Sequence, residues 1–282
     1  IILHYNDRVN NMILLSGGLF TIHATKASHE SHTDTLADVV INRGLQYYQV
    51  SKLKGIINKY RVLFEEPDNL WQTTKLVEHE INTGNNKPIN SSPYRTSMRE
   101  RKEIQAQISE MLAKVVIRNS NSHWASPVVL VKKKSGEWRF CVDYRKLNNV
   151  RMDDKHLLPL IEDILTHLNG AIFFPSLDLK SGYWQIPVRE SVKQQTAFVT
   201  SDGLFECNVL PFGLKTSPAT FHRCLDRVLG GLKCNSCLIY LDDVIIMATD
   251  IEEHNRRLQE VFDRLKEAGL RLNPKKCNIG LQ

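Results

Sequence analysis

Two adjacent aspartates, Asp242 and Asp243, interrupt an otherwise apolar segment that runs from Cys237 to Met247. An unpaired carboxylate in a buried strand costs several kcal/mol at least, so the pair requires a compensating cation. The segment contains no lysine or arginine that could supply it. A divalent cation such as Mg²⁺ fits, because hard cations take oxygen ligands from carboxylates and from substrate phosphates.

A third carboxylate, Asp178, ends another apolar stretch, which begins at Ala171. Two such strands side by side would bring Asp178 against Asp242 and Asp243. A cluster of this kind can hold two metal ions about 3.5–4 Å apart, the arrangement used for in-line phosphoryl or nucleotidyl transfer. For Asp178 alone, an ordinary strand-end or turn aspartate is an equally good interpretation. The double aspartate among β-branched residues favours the metal site.

The bulk properties allow many classes of protein. A chain of 282 residues can form one large domain or two to three subdomains with substantial cores. Its 42% hydrophobic and 24% charged residues are typical of a globular protein. The net charge of +6 suits a polyanionic partner without requiring one. No apolar run reaches the roughly 18 residues of a membrane span, so no membrane partner is expected.

The cysteines and histidines do not indicate a structural zinc site. Cys234 and Cys237 have metal-like spacing, but no second Cys/His pair lies at a useful distance. His29 and His32 lie three apart in a polar segment. The six cysteines, without a regular framework, are typical of reduced thiols in an intracellular compartment.

The elements that must position the carboxylates follow a mixed order of helices and strands. Hydrophobic periodicity predicts helices and strands with a basic hairpin turn at 132–137 between two of the strands. Gly269 is a suitable residue to end the last helix. Antiparallel pairs and packed helices make the class α+β. The predicted helices are 52–64, 99–116, 160–168, 218–229 and 251–268, and the predicted strands are 128–131, 138–142, one ending at Asp178, and a strand-turn-strand unit around Asp242.

Several ordered blocks of sequence resemble the reverse transcriptases of long-terminal-repeat retrotransposons of the Ty3/gypsy type. The resemblance extends from about Leu53 to the end of the chain. It implies a right-hand polymerase, with fingers and a palm built on an antiparallel sheet, that uses dNTPs and an RNA or DNA template-primer. The blocks are Trp124–Lys134, Trp138–Asn148, Ser176–Ile186, Leu210–Leu214, Tyr240–Asp243 and Ala268–Leu270.

The resemblance also implies a role for each carboxylate. Asp178 and Asp242 would bind two Mg²⁺ ions, with Mn²⁺ as an alternative, and Asp243 would be the third carboxylate. The backbone carbonyl of Leu179 would complete one metal shell. The metals would lower the pKa of the primer 3′-hydroxyl, align it with the α-phosphate and stabilise the leaving pyrophosphate.

Other residues match the substrate-binding positions of the family. Tyr183 matches the aromatic steric gate, which would exclude ribonucleotides by a clash with the 2′-hydroxyl. A core aromatic is the alternative for Tyr183 and the preferred interpretation for Trp184. Phe212 and Gly213 match the floor of the nucleotide pocket, which is compatible with a simple turn that closes a hairpin.

Basic residues would serve the triphosphate and the leaving group. The resemblance implies that Arg139 and one lysine of the 132–134 turn, for which we favour Lys133, hold the incoming triphosphate. Such a lysine triplet is otherwise an ordinary solvated surface. Lys276 aligns with a lysine that would protonate the leaving pyrophosphate as general acid, and Lys275 is nearly as good a candidate.

The resemblance predicts a division of the chain into regions. Residues 1–52 are expected to be a leader or linker of low order, and 53–98 an N-terminal helix with an extended connector. The fingers are expected at 99–160 together with 188–210. The palm is expected at 161–282 except 188–210, cut before the primer-gripping segment and the thumb, so that both ends of the chain derive from a longer polyprotein or an incomplete reading frame.

Three departures from the family pattern bear on the fold. Val115 stands where glycine is usual, and would strain a helix end that requires a positive φ. Pro175 would remove a ladder donor unless it lies at the start or the edge of its strand. Thr216-Ser217 replaces a common Asn-Ala.

The function that this sequence predicts is an RNA-directed DNA polymerase domain of a retrotransposon Pol polyprotein. The alternatives are a catalytically inactive remnant that binds nucleic acid weakly, and a structural part of a larger Pol protein. The expected neighbours are protease, RNase H and integrase domains. The expected location is intracellular, in a cytoplasmic virus-like particle or in the nucleus.

Overall fold

The computed structural model describes most of the chain from residue 39 onward, together with the backbone of two short strands before it. The predicted helix at 160–168, Cys234 and Asp242 lie outside the described residues. The described ranges are 12–15, 18–21, 39–41, 44–65, 71–133, 136–152, 170–233, 235–240 and 243–280.

The described residues form a mixed α+β fold, as predicted. Four short 3₁₀ segments lie at Arg61–Leu63, Gly182–Gln185, Glu190–Thr196 and Pro274–Lys276. The helices are α1 (Tyr47–Lys59), α2 (Met98–Ala113), α3 (Arg145–Val150), α4 (Ser217–Leu229) and α5 (Ile251–Glu267). The strands are β1 (Met12–Leu15), β2 (Gly18–Thr21), β3 (Val40–Ile41), β4 (Ile117–Asn119), β5 (Ser126–Lys132), β6 (Trp138–Val142), β7 (Ser176–Asp178), β8 (Phe198–Thr200), β9 (Gly203–Cys207), β10 (Cys237–Tyr240), β11 (Asp243–Ile246) and β12 (Asn278–Ile279).

Two five-stranded sheets organise the described part of the chain. The palm sheet has the order β10-β11-β7-β12-β3 and is antiparallel apart from the parallel pairing of β12 with β3. The fingers sheet has the order β4-β9-β8-β5-β6, with β5 and β8 parallel. β1 and β2 pair with each other as a separate antiparallel hairpin.

The apolar face of each helix explains where it packs. Leu53, Ile56 and Ile57 of α1 join one buried cluster with residues of α4, α5 and the central palm strands. Ile104 and Ile108 of α2 belong to a second cluster, which lies against the fingers sheet. Burial of these apolar faces contributes most of the stability of the two helices, because isolated helices of this length are marginally stable in water.

The helix ends follow local sequence. Ser97 and Glu100 form a reciprocal capping box at the start of α2, with each side chain bonded to the other's backbone N–H. Asp250 caps α5 by accepting hydrogen bonds from two backbone N–H groups. Gly269 follows the end of α5 with a φ of 71°, as the sequence predicted.

The structure corrects the predicted start of the ordered chain. Helix α1 begins at Tyr47, five residues earlier than the predicted helix at 52–64, and ends at Lys59. The predicted boundary at residue 52 therefore lies inside a helix. β3 also belongs to the palm sheet, so the low order predicted for 1–52 is wrong for β3 and for the first turns of α1. These pairings depend on a distant strand, β12, which local periodicity cannot indicate.

The end of α2 shows the strain that Val115 was expected to cause. The helix ends at Ala113, before the predicted Val116, and Val115 has a φ of 57°. The Val116 N–H bonds to the Met111 carbonyl at 2.9 Å, and the Val115 N–H bonds to the Leu112 carbonyl at 3.0 Å. This is the Schellman pattern, in which glycine is the usual left-handed residue. A β-branched residue there adopts a conformation that it rarely adopts.

Pro175 does not interrupt the hydrogen-bond ladder of its strand. It lies immediately before β7, and its carbonyl accepts a hydrogen bond from the Ile246 N–H at 2.9 Å. Because the residue stands at the start of the strand, its missing N–H breaks no interior ladder bond. In the part of the chain that the structure describes, no helix combines the length and apolar character that crossing a membrane requires.

Candidate active site

The palm sheet brings two of the predicted carboxylates together. Asp243 is the first residue of β11 and Asp178 the last residue of β7, and the two are direct register partners. Residues directly opposite each other on antiparallel strands point to the same face of the sheet, with Cβ atoms roughly 4.5–5.5 Å apart. On its other side Asp243 is the register partner of Tyr240. The predicted juxtaposition is therefore confirmed for Asp178 and Asp243.

Asp178 is held firmly by its surroundings. Its residue is 7% exposed, and its backbone carbonyl accepts a hydrogen bond from the Asn273 N–H at 2.9 Å. The Lys276 Nζ lies 3.4 Å from the Asp178 Oδ2. Burial raises the pKa of the neighbouring Cys277 thiol to about 12, so this group stays neutral beside the carboxylate. Lys276, predicted from sequence as the proton donor to the leaving pyrophosphate, thus lies beside one of the predicted carboxylates, and its role as donor stays a prediction.

The arrangement of the carboxylates fits a divalent metal site. Like charges directly opposite each other on a sheet are destabilising, so Asp178 and Asp243 require nearby positive charge. Their oxygen atoms are the ligands that Mg²⁺ prefers. Among the described residues, which exclude Asp242, no group of three or more His, Cys, Asp or Glu side chains is placed to hold a metal ion. The fit therefore rests on the Asp178–Asp243 pair.

Tyr183 and Phe212, both predicted to line the nucleotide pocket, are stacked on each other. Their ring centroids lie 4.8 Å apart with an interplanar angle of 27°. Tyr183 is 4% exposed and also packs on Phe221, whereas Phe212 is 52% exposed. The solvent-facing surface is that of Phe212, and Tyr183 supports it from below. Trp184 packs edge-on against Trp71 at 5.6 Å, in the core position that the sequence favoured for it.

Gly213 is a glycine for a geometric reason. It has a φ of 97°, and a Cβ at this position would lie 3.1 Å from the carbonyl oxygen of Val142, the last residue of β6. Any other residue would be strained there. The loop that follows Phe212 is therefore packed directly against the base of the fingers hairpin.

The two predicted triphosphate ligands lie on the fingers hairpin of β5 and β6, on a different sheet from the carboxylates. Lys133 follows β5, is exposed, and its Nζ lies 3.0 Å from a Glu137 carboxylate oxygen. Arg139 is an exposed residue of β6 and the register partner of Val131. The Lys132 Nζ lies 5.1 Å from the Trp138 ring centroid. The hairpin therefore presents a basic tip.

The sequence of the region just described matches a known family. The family described as "Reverse transcriptase (RNA-dependent DNA polymerase)" matches residues 131–282, more than half of the chain. The chain belongs to the reverse transcriptase family. The resemblance inferred from the sequence blocks is thereby confirmed.

Similar proteins include transposon and viral proteins. The Pol polyprotein of transposon 297 from Drosophila melanogaster is 38% identical over 240 residues, which cover 83% of this chain and 23% of the relative. The protease-reverse transcriptase of prototype foamy virus has a crystal structure with a TM-score of 0.77 at 28% identity, covering 88% of this chain and 32% of that one. A foamy viral protease-reverse transcriptase in complex with an RNA/DNA hybrid gives 0.76 at 25% identity, covering 87% and 32%. The chain spans about a quarter of the curated relative it matches.

The likeness to these structures confirms the predicted right-hand fold with fingers and palm. The fingers sheet falls within the predicted fingers ranges, and the palm sheet falls within the predicted palm apart from β3. The detailed residue boundaries of the regions stay predictions.

Sequence patterns did not indicate two polar residues that bond to the backbone around the candidate site. Gln185 is 1% exposed. Its side chain bonds to the backbone of Lys180, two residues after Asp178, and to the backbone of Arg271. Asn148 in α3 donates to the Gly213 carbonyl at 2.9 Å and accepts from the Lys215 N–H at 2.9 Å. Both lie inside the blocks that carry the resemblance. For Gln185 the available signal was its polarity amid apolar neighbours, whereas Asn148 lies among polar residues and gives no such signal.

Proposed function

We propose that this chain is the fingers-and-palm region of an RNA-directed DNA polymerase encoded by a retrotransposon Pol polyprotein. The observation that carries the proposal is the direct pairing of Asp178 with Asp243 on neighbouring strands of the palm sheet. Asp242, which immediately precedes Asp243, is the third carboxylate of the proposed site. Reverse transcriptase relatives along most of the chain support the same assignment.

In the proposed mechanism the chain supplies a fixed anionic cradle. Asp178, Asp242 and Asp243, with the Leu179 carbonyl, would hold two Mg²⁺ ions, and Mn²⁺ could replace them. Such ions, when bound, activate the primer 3′-hydroxyl and stabilise charge on the transferring phosphate and the leaving group. The strands preorganise the carboxylates, so that little rearrangement is needed when substrate arrives.

Basic residues of the chain are proposed to bind the dNTP and to serve its leaving group. Arg139 would contact the triphosphate with its planar guanidinium, and Lys133 would add a point charge. Lys276 would donate a proton from Nζ to the leaving pyrophosphate. The 3.4 Å separation between its Nζ and the Asp178 Oδ2 supports this role. Lys275 is the alternative donor.

The stacked aromatic pair is proposed to form the floor of the nucleotide pocket and its sugar gate. Tyr183 would exclude a 2′-hydroxyl by steric repulsion, because rejection of an isostere with one more hydroxyl requires a clash. Phe212 covers the Tyr183 ring, and Gly213 permits the close approach of the loop to β6. The two rings would therefore act together as one surface.

The proposed partners are an RNA or DNA template-primer and dNTPs. The net charge of +6 and the basic hairpin tip suit a polyanion. In the full polyprotein, protease, RNase H and integrase domains are the proposed neighbours. We expect the polymerase in a cytoplasmic virus-like particle or in the nucleus.

The test is primer extension on an RNA template by the Pol polyprotein that contains this chain. Asp178→Asn and Asp242→Asn are each expected to abolish Mg²⁺-dependent dNTP incorporation, because each removes an anionic ligand. Asp202→Asn is the matched control, since Asp202 pairs with Arg101 on the fingers surface. Retained incorporation in the first two variants would refute the metal assignment. An inactive wild type would favour a remnant or a structural role.

A further inference from the structure

Gln185 makes an unusually complete set of hydrogen bonds in a buried position. It is 1% exposed. Its Nε2 donates to the Lys180 carbonyl at 2.7 Å and to the Arg271 carbonyl at 2.9 Å. Its Oε1 accepts from the Arg271 N–H at 2.7 Å. Both N–H groups and the carbonyl of the carboxamide are therefore used, and all three bonds go to backbone.

These bonds close the end of a short backbone ladder that begins at the Asp178 main-chain carbonyl. The Asn273 N–H bonds to the Asp178 carbonyl at 2.9 Å, and Leu179 forms a bridge with Leu272. The Lys180 N–H bonds to the Arg271 carbonyl at 3.0 Å. Beyond that point Gln185 joins the two segments with its side chain. The ladder is short, so its last connection has a large share in fixing its register.

The segment 271–273, which pairs with the residues after Asp178, continues directly into the turn that carries Lys276. The Asn273 side chain accepts a hydrogen bond from the Lys275 N–H at 3.2 Å, and the Asn273 carbonyl accepts one from the Lys276 N–H at 3.1 Å. The resulting 3₁₀ turn, Pro274–Lys276, places the Lys276 Nζ 3.4 Å from the Asp178 Oδ2. The position of the ammonium relative to the carboxylate therefore depends on the same ladder.

Gln185 also ends the 3₁₀ segment that carries Tyr183. The Gln185 carboxamide thus connects three segments. One follows the strand that ends at Asp178, one leads to the turn of Lys276, and one carries Tyr183. An apolar residue of similar shape could fill the space. It would remove one hydrogen bond from the Lys180 carbonyl, one from the Arg271 N–H and one of the two that the Arg271 carbonyl accepts, and such losses at partly buried backbone groups are costly.

We propose that Gln185 is a positioning residue, whose carboxamide fixes the register between the Asp178 strand end and the Lys276 turn. This inference rests on the proposed metal-dependent function. Loss of the carboxamide would let the Asn273–Lys276 turn shift, which would change both the shape of the carboxylate site and the contact of Lys276 with it. Residues that support metal ligands in this way typically contribute about 10- to 100-fold to metal affinity or activity.

The test measures the affinity of the 282-residue chain for Mn²⁺, with electron paramagnetic resonance as the method of detection. Gln185→Met keeps the approximate volume and removes all three hydrogen bonds, and we expect affinity at the Asp178-dependent site to fall by about tenfold. Gln185→Asn keeps the polar atoms at shorter reach and should give an intermediate loss. The second variant keeps the test decisive if the first unfolds.

A second readout follows the lysine itself. Mass spectrometry after brief amine acetylation gives the ratio of Lys276 to Lys275 labelling in the native protein. The ratio is expected to rise in Gln185→Met, because Lys276 loses its fixed contact with Asp178. An unchanged ratio together with unchanged Mn²⁺ affinity would overturn the positioning role.

A matched control separates positioning from general destabilisation. Thr196 is fully buried in the fingers, donates to the Lys193 carbonyl at 2.6 Å and accepts from the Cys207 N–H at 2.9 Å. Thr196→Val should lower the Tm but leave Mn²⁺ affinity unchanged. An equal loss of affinity in this variant would reduce Gln185 to a structural residue. If Asp178→Asn leaves Mn²⁺ binding intact, the proposed function itself is wrong, and the role of Gln185 is overturned with it.

Discussion

Two antiparallel hairpins of this chain carry charges of opposite sign in opposite settings. The β10–β11 hairpin lies within the palm core, where Ile239 and Val244 are at most 1% exposed. The β5–β6 hairpin carries Val129 and Val131, which are 37% and 45% exposed, and ends in a basic turn. The acidic site is built by packing, whereas the basic site is presented at a surface. Fixed carboxylates suit a metal cradle, and exposed cations suit a substrate that arrives from solvent.

The base of the fingers hairpin is anchored although its tip is not buried. Asp143, directly after β6, accepts hydrogen bonds from the Tyr94 hydroxyl at 2.8 Å and from the Arg145 guanidinium at 2.7 Å. The Arg145 guanidinium holds the pKa of Asp143 well below its usual range. The hairpin therefore projects from a fixed root, and the contrast with the palm applies to its outer half.

The largest expected difference between the two hairpins appears when one carboxylate in each is changed to its amide. Asp243→Asn removes a charge that the palm sheet holds opposite Asp178, and incorporation is expected to fall on the order of 100-fold or more. Glu137→Gln removes a charge from the exposed fingers turn, where Glu137 forms a surface ion pair with Lys133. We expect no loss there, because exposed ion pairs contribute little. Steady-state primer extension measures both, and equal losses would contradict the comparison.

A smaller effect is expected from the basic hairpin itself. Arg139→Lys keeps the charge but loses the planar pair of donors, and we expect the KM for dNTP to rise about 10-fold while kcat changes less. Arg99→Lys is the control, because Arg99 is an exposed residue of α2 and not of the β5–β6 hairpin. Equal KM values for the wild type and Arg139→Lys would remove Arg139 from the triphosphate site.

Sequence reasoning succeeded where the signal was local or was carried by ordered blocks. Strand β6 lies at Trp138–Val142, as alternation predicted, and Gly269 ends α5. It failed where distant segments meet. Because no lysine or arginine lies near Asp242 and Asp243 in sequence, a divalent metal ion was the predicted compensating charge. Lys276 nevertheless contacts Asp178 from 98 positions away. Gln185 was missed for the same reason, since its partner Arg271 lies 86 positions away.

The mildest prediction concerns the backbone of the fingers rather than its charge. Val115 is 48% exposed with a φ of 57°, so its side chain adds strain and little burial. Left-handed geometry costs a residue with a Cβ about 1–2 kcal/mol. The extra entropy of glycine in the unfolded chain offsets about 0.5–1 kcal/mol of the relief. Val115→Gly should therefore raise the free energy of unfolding by up to about 1.5 kcal/mol.

The control for this prediction uses a valine of equal exposure in extended backbone. Val131, in β5, is 45% exposed, and Val131→Gly should lower stability because glycine weakens a strand. Opposite signs for the same substitution in urea unfolding would locate strain at the end of α2. Because Val115 is not among the residues of the proposed site, relief of its strain should leave primer extension unchanged. A stabilised Val115→Gly variant with reduced primer extension would instead mean that the strained turn at Val115 contributes to polymerase activity.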